Sequence, residues 1–209
     1  MAVQESIRIR SIAGDPTRSW LRGLPELRDG ALLLRELELR DAPSLLAHLN
    51  NPRVLQHVAP CPSTERGFRR FIRWTHLERR RGLHACYGII PPGEAAPVGI
   101  VQVWWVERDF STAEWGFILG DSFWGTGVFM RSAHLFLDAV FETLNVLRLE
   151  SRPVVENGRG NAVFRKLGAT SEGVLRSSFR HGGVVRDQVM WSILASEWAA
   201  HRDRAHGIG

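Results

Sequence analysis

The chain reads as an α/β (α+β) protein built on a mixed, mostly antiparallel sheet. Three observations predict this. Short apolar segments of strand character alternate irregularly with amphipathic helical segments from near Gly30 onward. Tight turn sequences, Pro91-Pro92-Gly93 and Gly182-Gly183, separate neighbouring strand segments. Three strands in succession precede the long central helix, which excludes the regular alternation of a doubly wound sheet.

The elements follow in order. Ser6 to Ile12 alternates apolar and polar residues, as a half-buried strand would, until Gly14-Asp15-Pro16 breaks it. Residues 1–26 are read as an N-terminal extension. Ala31 to Leu39 is a strand, and Asp41 is placed to cap a helix with Pro43 in its first turn, running to about Leu49. Asn51-Pro52 stops it. A second helix spans Thr64 to Arg81, capped at Ser63 or Thr64 and ended by Gly82. Strands are expected at 84–90, 98–106 and 113–119, then a long helix from about 126 to 142. A strand at 146–152, a helix at 160–167 and strands at 169–180 and 184–194 complete the domain. A last short helix runs from Ser196 to about Arg204, and 199–209 are assigned to a C-terminal tail outside the domain.

Composition narrows the function. The 209 residues are 44% hydrophobic and 23% charged, which excludes a predominantly disordered chain. No apolar run approaches the ~18 residues of a membrane span, so no membrane partner is expected. The first ten residues lack the apolar core of a secretory signal, and the two cysteines, Cys61 and Cys86, suit a reducing, cytoplasmic setting. The eight histidines show no ligand spacing, so no metal is expected. The formal charge is +5, and Lys166 is the sole lysine. Arg66, Arg69, Arg70 and Arg73 share one helical face opposite Phe68, Phe71 and Ile72. A solvated amphipathic face accounts for them better than a nucleic-acid surface does. Cys86, two residues from His84, reads as a core residue rather than a nucleophile. The dinucleotide fingerprint fails because Met130 stands at its last glycine, and no phosphate-binding G-K-[ST] loop, H-E-x-x-H or G-x-S-x-G occurs.

The informative stretch joins the third of those strands to the long helix: Asp121-Ser122-Phe123-Trp124-Gly125-Thr126-Gly127-Val128-Phe129-Met130. Glycines let the backbone turn sharply and approach a ligand closely. The first amides of a helix have no internal partners and attract anions such as pyrophosphate. An ordinary glycine-rich turn explains this stretch alone equally well. A second segment follows the next strand: Glu156-Asn157-Gly158-Arg159-Gly160-Asn161-Ala162-Val163-Phe164-Arg165-Lys166-Leu167-Gly168-Ala169.

Together these segments resemble the GNAT superfamily of acetyl-CoA-dependent N-acetyltransferases, of the RimJ/RimL type. Trp124-Gly125-Thr126-Gly127-Val128-Phe129 is similar to the family's [Q/R]-x-x-G-x-[G/A] signature, with Phe129 at its small-residue position. Asn157, Lys166, Gly168 and Ala169 fall on its second motif, where Gly160 replaces a serine and Phe164 a frequent tyrosine acid. The opening Leu32-Leu33-Leu34-Arg35-Glu36-Leu37 and the closing Gly182-Gly183 hairpin with Asp187 and Trp191 extend the resemblance over residues 27–198.

The resemblance implies a sheet of about six to seven strands flanked by helices and splayed between the fourth and fifth. It implies acetyl-CoA as co-substrate, without a metal. The donor's arm is expected along Phe117, Ile118 and Leu119, and its pyrophosphate at Trp124, Gly125, Thr126, Gly127, Val128, Phe129 and Met130. Asn157, Asn161, Phe164 and Lys166 complete the binding set. Glu114, a carboxylate in an apolar strand, is the candidate general base, against the alternative of a solvent-facing glutamate paired with an arginine. The acceptor is an amine, either a peptide N-terminus or a small molecule, and a homodimer is left open. Two alternatives stand beside this reading: a longer acyl-CoA donor, or a CoA-binding interaction module with impaired catalysis.

Overall fold

The computed structural model describes residues 16–58, 61–107 and 111–205. The strand expected at 6–12 lies outside the described residues. Eight strands form one sheet in the order β1-β2-β3-β4-β5-β6-β8-β7. They are β1 (Leu27–Asp29), β2 (Leu32–Glu36), β3 (His84–Ile90), β4 (Gly99–Trp105), β5 (Thr112–Leu119), β6 (Arg148–Ser151), β7 (Thr170–His181) and β8 (Val184–Leu194). Every neighbouring pair is antiparallel except β5 and β6. The expected six to seven strands become eight because β1 folds back on β2 through Gly30, at φ 57°. Three residues are too short to show a period in the sequence.

The helices are α1 (Ala42–Leu49), α2 (Pro52–Leu55), α3 (Glu65–Arg80), α4 (Val128–Glu142), α5 (Gly158–Lys166) and α6 (Ala195–Ala205). Strand alternation divides the core in two. On one face α4, α5 and α6 cover Tyr87, Trp115, Phe136, Phe164 and Trp198. On the other, α1 and α3 cover Leu37, Leu45, Phe68, Ile72 and Cys86. Thr64 caps α3 as expected, its hydroxyl accepting from the Gly67 N–H at 3.0 Å. Arg66, Arg70 and Arg73 on α3 are exposed, and Arg69 pairs with Glu65 one turn away. Gly182 and Gly183 both take positive φ, the geometry of a two-residue hairpin turn.

Asp41 does something other than cap α1. Its carboxylate is buried and accepts both Arg35 guanidinium nitrogens at 2.8 Å and the Glu38 N–H at 2.7 Å. This bidentate pair fixes the chain between β2 and α1. Nor does Asn51-Pro52 simply end a helix. Asn51 accepts from the Arg53 N–H and Pro52 starts the short α2.

Replacing Asp41 with alanine leaves a half-buried guanidinium without its bidentate partner, with Glu38 at 3.6 Å as the remaining carboxylate. We expect a loss of about 3–5 kcal/mol in stability, read from the midpoint of urea unfolding. An unchanged midpoint would show that the pair contributes only geometry.

Candidate active site

The site is created where β5 and β6 part. Their parallel register runs from Thr112↔Arg148 to Glu114↔Glu150 and stops. The Ser151 hydroxyl donates to the Trp115 carbonyl at 3.1 Å, closing the ladder. Pro153 then has no N–H to continue it. From there the chain follows β8 instead, with Val189 N–H donating to Pro153 O and Val155 N–H to Asp187 O. The last half of β5 is left with one open edge.

Alternation decides which groups face that opening. Thr112 O accepts from Val106 N–H on the β4 side. Odd-numbered residues therefore turn their N–H and C=O groups to the other edge. Trp115 O is taken by Ser151 and Leu119 O by the Trp124 indole N–H at 2.9 Å. The N–H groups of Phe117 and Leu119 point into the gap. A cavity of about 690 Å³ occupies it, with Phe117, Ile118 and Leu119 in one wall.

The turn after β5 closes one end. Gly125 and Gly127 adopt φ of 77° and 83°, where L side chains are strained, and an added Cβ at either would meet nothing within 4 Å. Gly127 is the N-cap of α4, whose first-turn amides have no intrahelical partner; that of Val128 donates to Thr126 Oγ1 at 3.4 Å. Trp124, Gly125, Gly127, Phe129 and Met130 line the cavity. Thr126 is exposed and donates its hydroxyl to Phe123 O, while Val128 packs on the core. The Phe129 ring stacks on Phe117 with centroids 3.9 Å apart, so the bulky residue becomes part of the wall and leaves the cavity open.

The opposite wall comes from α5. Asn157 is its N-cap, accepting from the Gly160 N–H at 2.9 Å, and lines the cavity with Lys166. A Cβ at Gly160 would sit 2.6 Å from the Asn157 side-chain nitrogen, so a serine there would require that amide to shift. Asn161 and Phe164 are occupied elsewhere. Asn161 is buried, donating to Val154 O and accepting from the Trp191 indole at 2.8 Å. Phe164 is buried against Trp115, Phe117 and Trp191. Both support the wall from behind.

Glu114 lies on the other face of β5, with Gly116 and Ile118. Ile118 lines the cavity and packs against the α1–α3 core, whereas Glu114 is not among the residues that line the cavity. The Glu114 carboxylate stands beside Trp104, its register partner on β4, and 3.8 Å from Arg152 Nε. Burial raises its pKa. The Arg152 charge opposes that rise, the Glu150 carboxylate adds to it, and a hydrogen bond from Trp104 opposes it. Arg152 also pairs with Glu150, at 3.3 Å. Glu114 is thus a partly shielded carboxylate, held near a cation without a close ion pair.

Other residues sort clearly. Cys86 is buried in the α1–α3 core, where burial pushes its thiol far above the ordinary range. Trp105 packs against the α4 face and Trp104 belongs to the opposite one. Arg53, Gln56 and His57, from α2 and the segment after it, roof the cavity, and Arg159 joins them from α5. Burial and the nearby Arg186 hold His57 below its ordinary pKa. No motif in the sequence marks this roof, because α2 is one turn long. No group of three metal-ligating side chains occurs among the described residues. No helix among them is long and apolar enough to cross a membrane.

Comparison with known proteins agrees with this geometry. Residues 31–170 match the family model described as an acetyltransferase (GNAT) domain. The chain is 28% identical over 172 residues to p20 of Bacillus licheniformis, an uncharacterized N-acetyltransferase, covering 80% of this chain and 95% of that one. Over 108 residues it is 30% identical to the spermidine N(1)-acetyltransferase of Escherichia coli K12, covering 52% of this chain and 57% of that protein. Among solved structures, RimJ of Mycobacterium smegmatis in complex with CoA-disulfide superposes with a TM-score of 0.75 at 24% identity, covering 88% of this chain and 93% of that one. The splayed sheet, the glycine turn before α4 and the family match converge: the chain belongs to the GNAT acetyltransferase family.

Proposed function

We propose that this protein transfers an acetyl group from acetyl-CoA directly to a primary amine, with Glu114 as general base. The observation that carries the reading is the gap between β5 and β6. It has unpartnered amides along one edge, a positive-φ glycine turn at one end and a shielded carboxylate on the acceptor side. The residues suit the donor: the cavity holds about 690 Å³ and is lined by Arg53, Arg159 and Lys166. Binding of CoA by the RimJ neighbour and acetylation of an amine by the spermidine enzyme support the reading.

Acetyl-CoA supplies an activated acyl group. The protein's part is to present an unprotonated amine and to stabilise developing charge. A primary amine with a pKa of about 10 is almost wholly an ammonium ion at neutral pH, so a base must remove its proton. Glu114, its pKa raised by burial, accepts it more readily than a surface glutamate would. The Phe117 and Leu119 N–H groups, fixed in the gap, are placed as donors to the thioester carbonyl oxygen. Such a donor is worth roughly 3 kcal/mol of barrier. Residues 27–198 are assigned to the catalytic domain, and the acceptor enters over the α1–α3 face, as a peptide N-terminus or a small-molecule amine.

Two expectations test this. Glu114→Gln lowers kcat by about 10²- to 10⁴-fold and removes the acidic limb of the pH–rate profile. Activity through Glu114 is lost as pH falls through its folded pKa. Arg152→Gln removes the charge that holds this pKa down, so the limb moves to higher pH. A profile indifferent to both substitutions would rule Glu114 out as the base. Gly127→Ala retains the fold but weakens CoA binding about ten-fold, since the αL conformation costs roughly 1–2 kcal/mol in an L residue. Calorimetric titration reads this directly, and unaltered affinity would mean the turn does not touch the donor.

A further inference from the structure

We propose that Arg159 and Arg53, held against the Trp124 ring, form the cationic half of a pyrophosphate site at the glycine turn that opens α4. The inference rests on the reading of CoA as co-substrate. It gives a role to Arg53, from outside the recognised motifs, and to Arg159, which stands in the second segment without one.

The motif position that carries glutamine or arginine in the signature holds Trp124 here, so no motif side chain brings charge to the turn. The structure places the charge on that indole instead. The Trp124 ring is anchored, with its N–H on Leu119 O and its edges packed on both cores. The Arg159 guanidinium lies 4.2 Å from the ring centroid and that of Arg53 lies 5.8 Å away. One arrives from the first turn of α5, the other from α2, and both line the cavity beside Gly125 and Gly127. A cation–π contact fixes a guanidinium by its face and leaves its N–H fork free. That fork matches phosphate oxygens bidentately.

Neither arginine is committed to a strong ion pair. Arg159 has no salt-bridge partner among the described residues. Arg53 meets Asp121 at 3.3 Å, but its side chain is 74% exposed, so the pair is weak and exchangeable for a dianionic ligand. Lys166 lies about two helical turns beyond Arg159 on α5, roughly 10 Å along the axis, too far to serve the same phosphates.

The test is calorimetric titration of the full chain with CoA, with dephospho-CoA, which lacks only the 3′-phosphate, and with pantetheine, which lacks every phosphate. Arg159→Gln is expected to weaken CoA and dephospho-CoA by the same factor, about ten-fold, and to leave pantetheine unchanged. Arg53→Gln gives a smaller loss of the same pattern. Trp124→Leu reproduces the Arg159→Gln loss and adds little when both are combined, the mark of a positioning residue. If Arg159→Gln binds both nucleotides like the wild type, the inference fails. If it loses CoA but not dephospho-CoA, the arginine serves the 3′-phosphate and the inference also fails. A wild-type chain that binds no CoA overturns the co-substrate reading, and this inference with it.

Discussion

The structure turns on the parting of β5 from β6. A parallel pair buried inside a sheet normally keeps its ladder, because unpaired backbone groups inside a protein are costly. Here Pro153 cannot donate, and the chain beyond it transfers its hydrogen bonds to β8. The Ser151 hydroxyl and the Trp124 indole satisfy two of the freed β5 carbonyls. The Phe117 and Leu119 N–H groups and the Phe117 carbonyl remain on the open edge. A defect in sheet pairing thus becomes a row of oriented dipoles in an apolar setting, where such dipoles act most strongly.

The walls of the gap are held by side chains that never touch it. Phe164 and Trp115 stack behind Phe117, and Asn161 joins α5 to β8 through Trp191. Phe129 completes the aromatic layer by lying on Phe117. This rigidity matters for the chemistry, since misplacement by an ångström erodes proximity effects. The two sides of the sheet divide the work: cations and glycine turn toward α4 and α5, the Glu114 carboxylate toward α1 and α3.

Much of this was legible in the sequence because it depends on local rules. Alternation gave β3, β4 and β5 nearly to the residue, and the Thr64 cap and the Gly182-Gly183 turn followed from short-range chemistry. Gly125 and Gly127 were recognisable as a turn before an apolar helix. What escaped depends on long-range contact. Asp41 has the signature of a helix cap, yet a half-buried arginine six residues earlier claims its carboxylate. Asn161 and Phe164 sit in a binding motif but on the inner face of α5, a matter of helical phase set by Trp191 and Trp115. Arg53 and Arg159, more than a hundred residues apart, meet on one indole through tertiary structure alone.

The N-terminal side has its own consequence. The chain at Pro16–Leu21 forms a 3-10 turn whose Trp20 is buried in the main core, and Arg79 donates to both Trp20 O and Leu21 O while pairing with Glu36. The unit that folds is therefore longer than the unit that matches the family, which starts at residue 31. A chain begun at the family boundary would keep every residue of the proposed site yet open a tryptophan-sized hole in the main core, and strip Arg79 of two of its acceptors. Evolutionary modules and cooperative folding units need not share an edge, and in this protein one buried indole marks the distance between them.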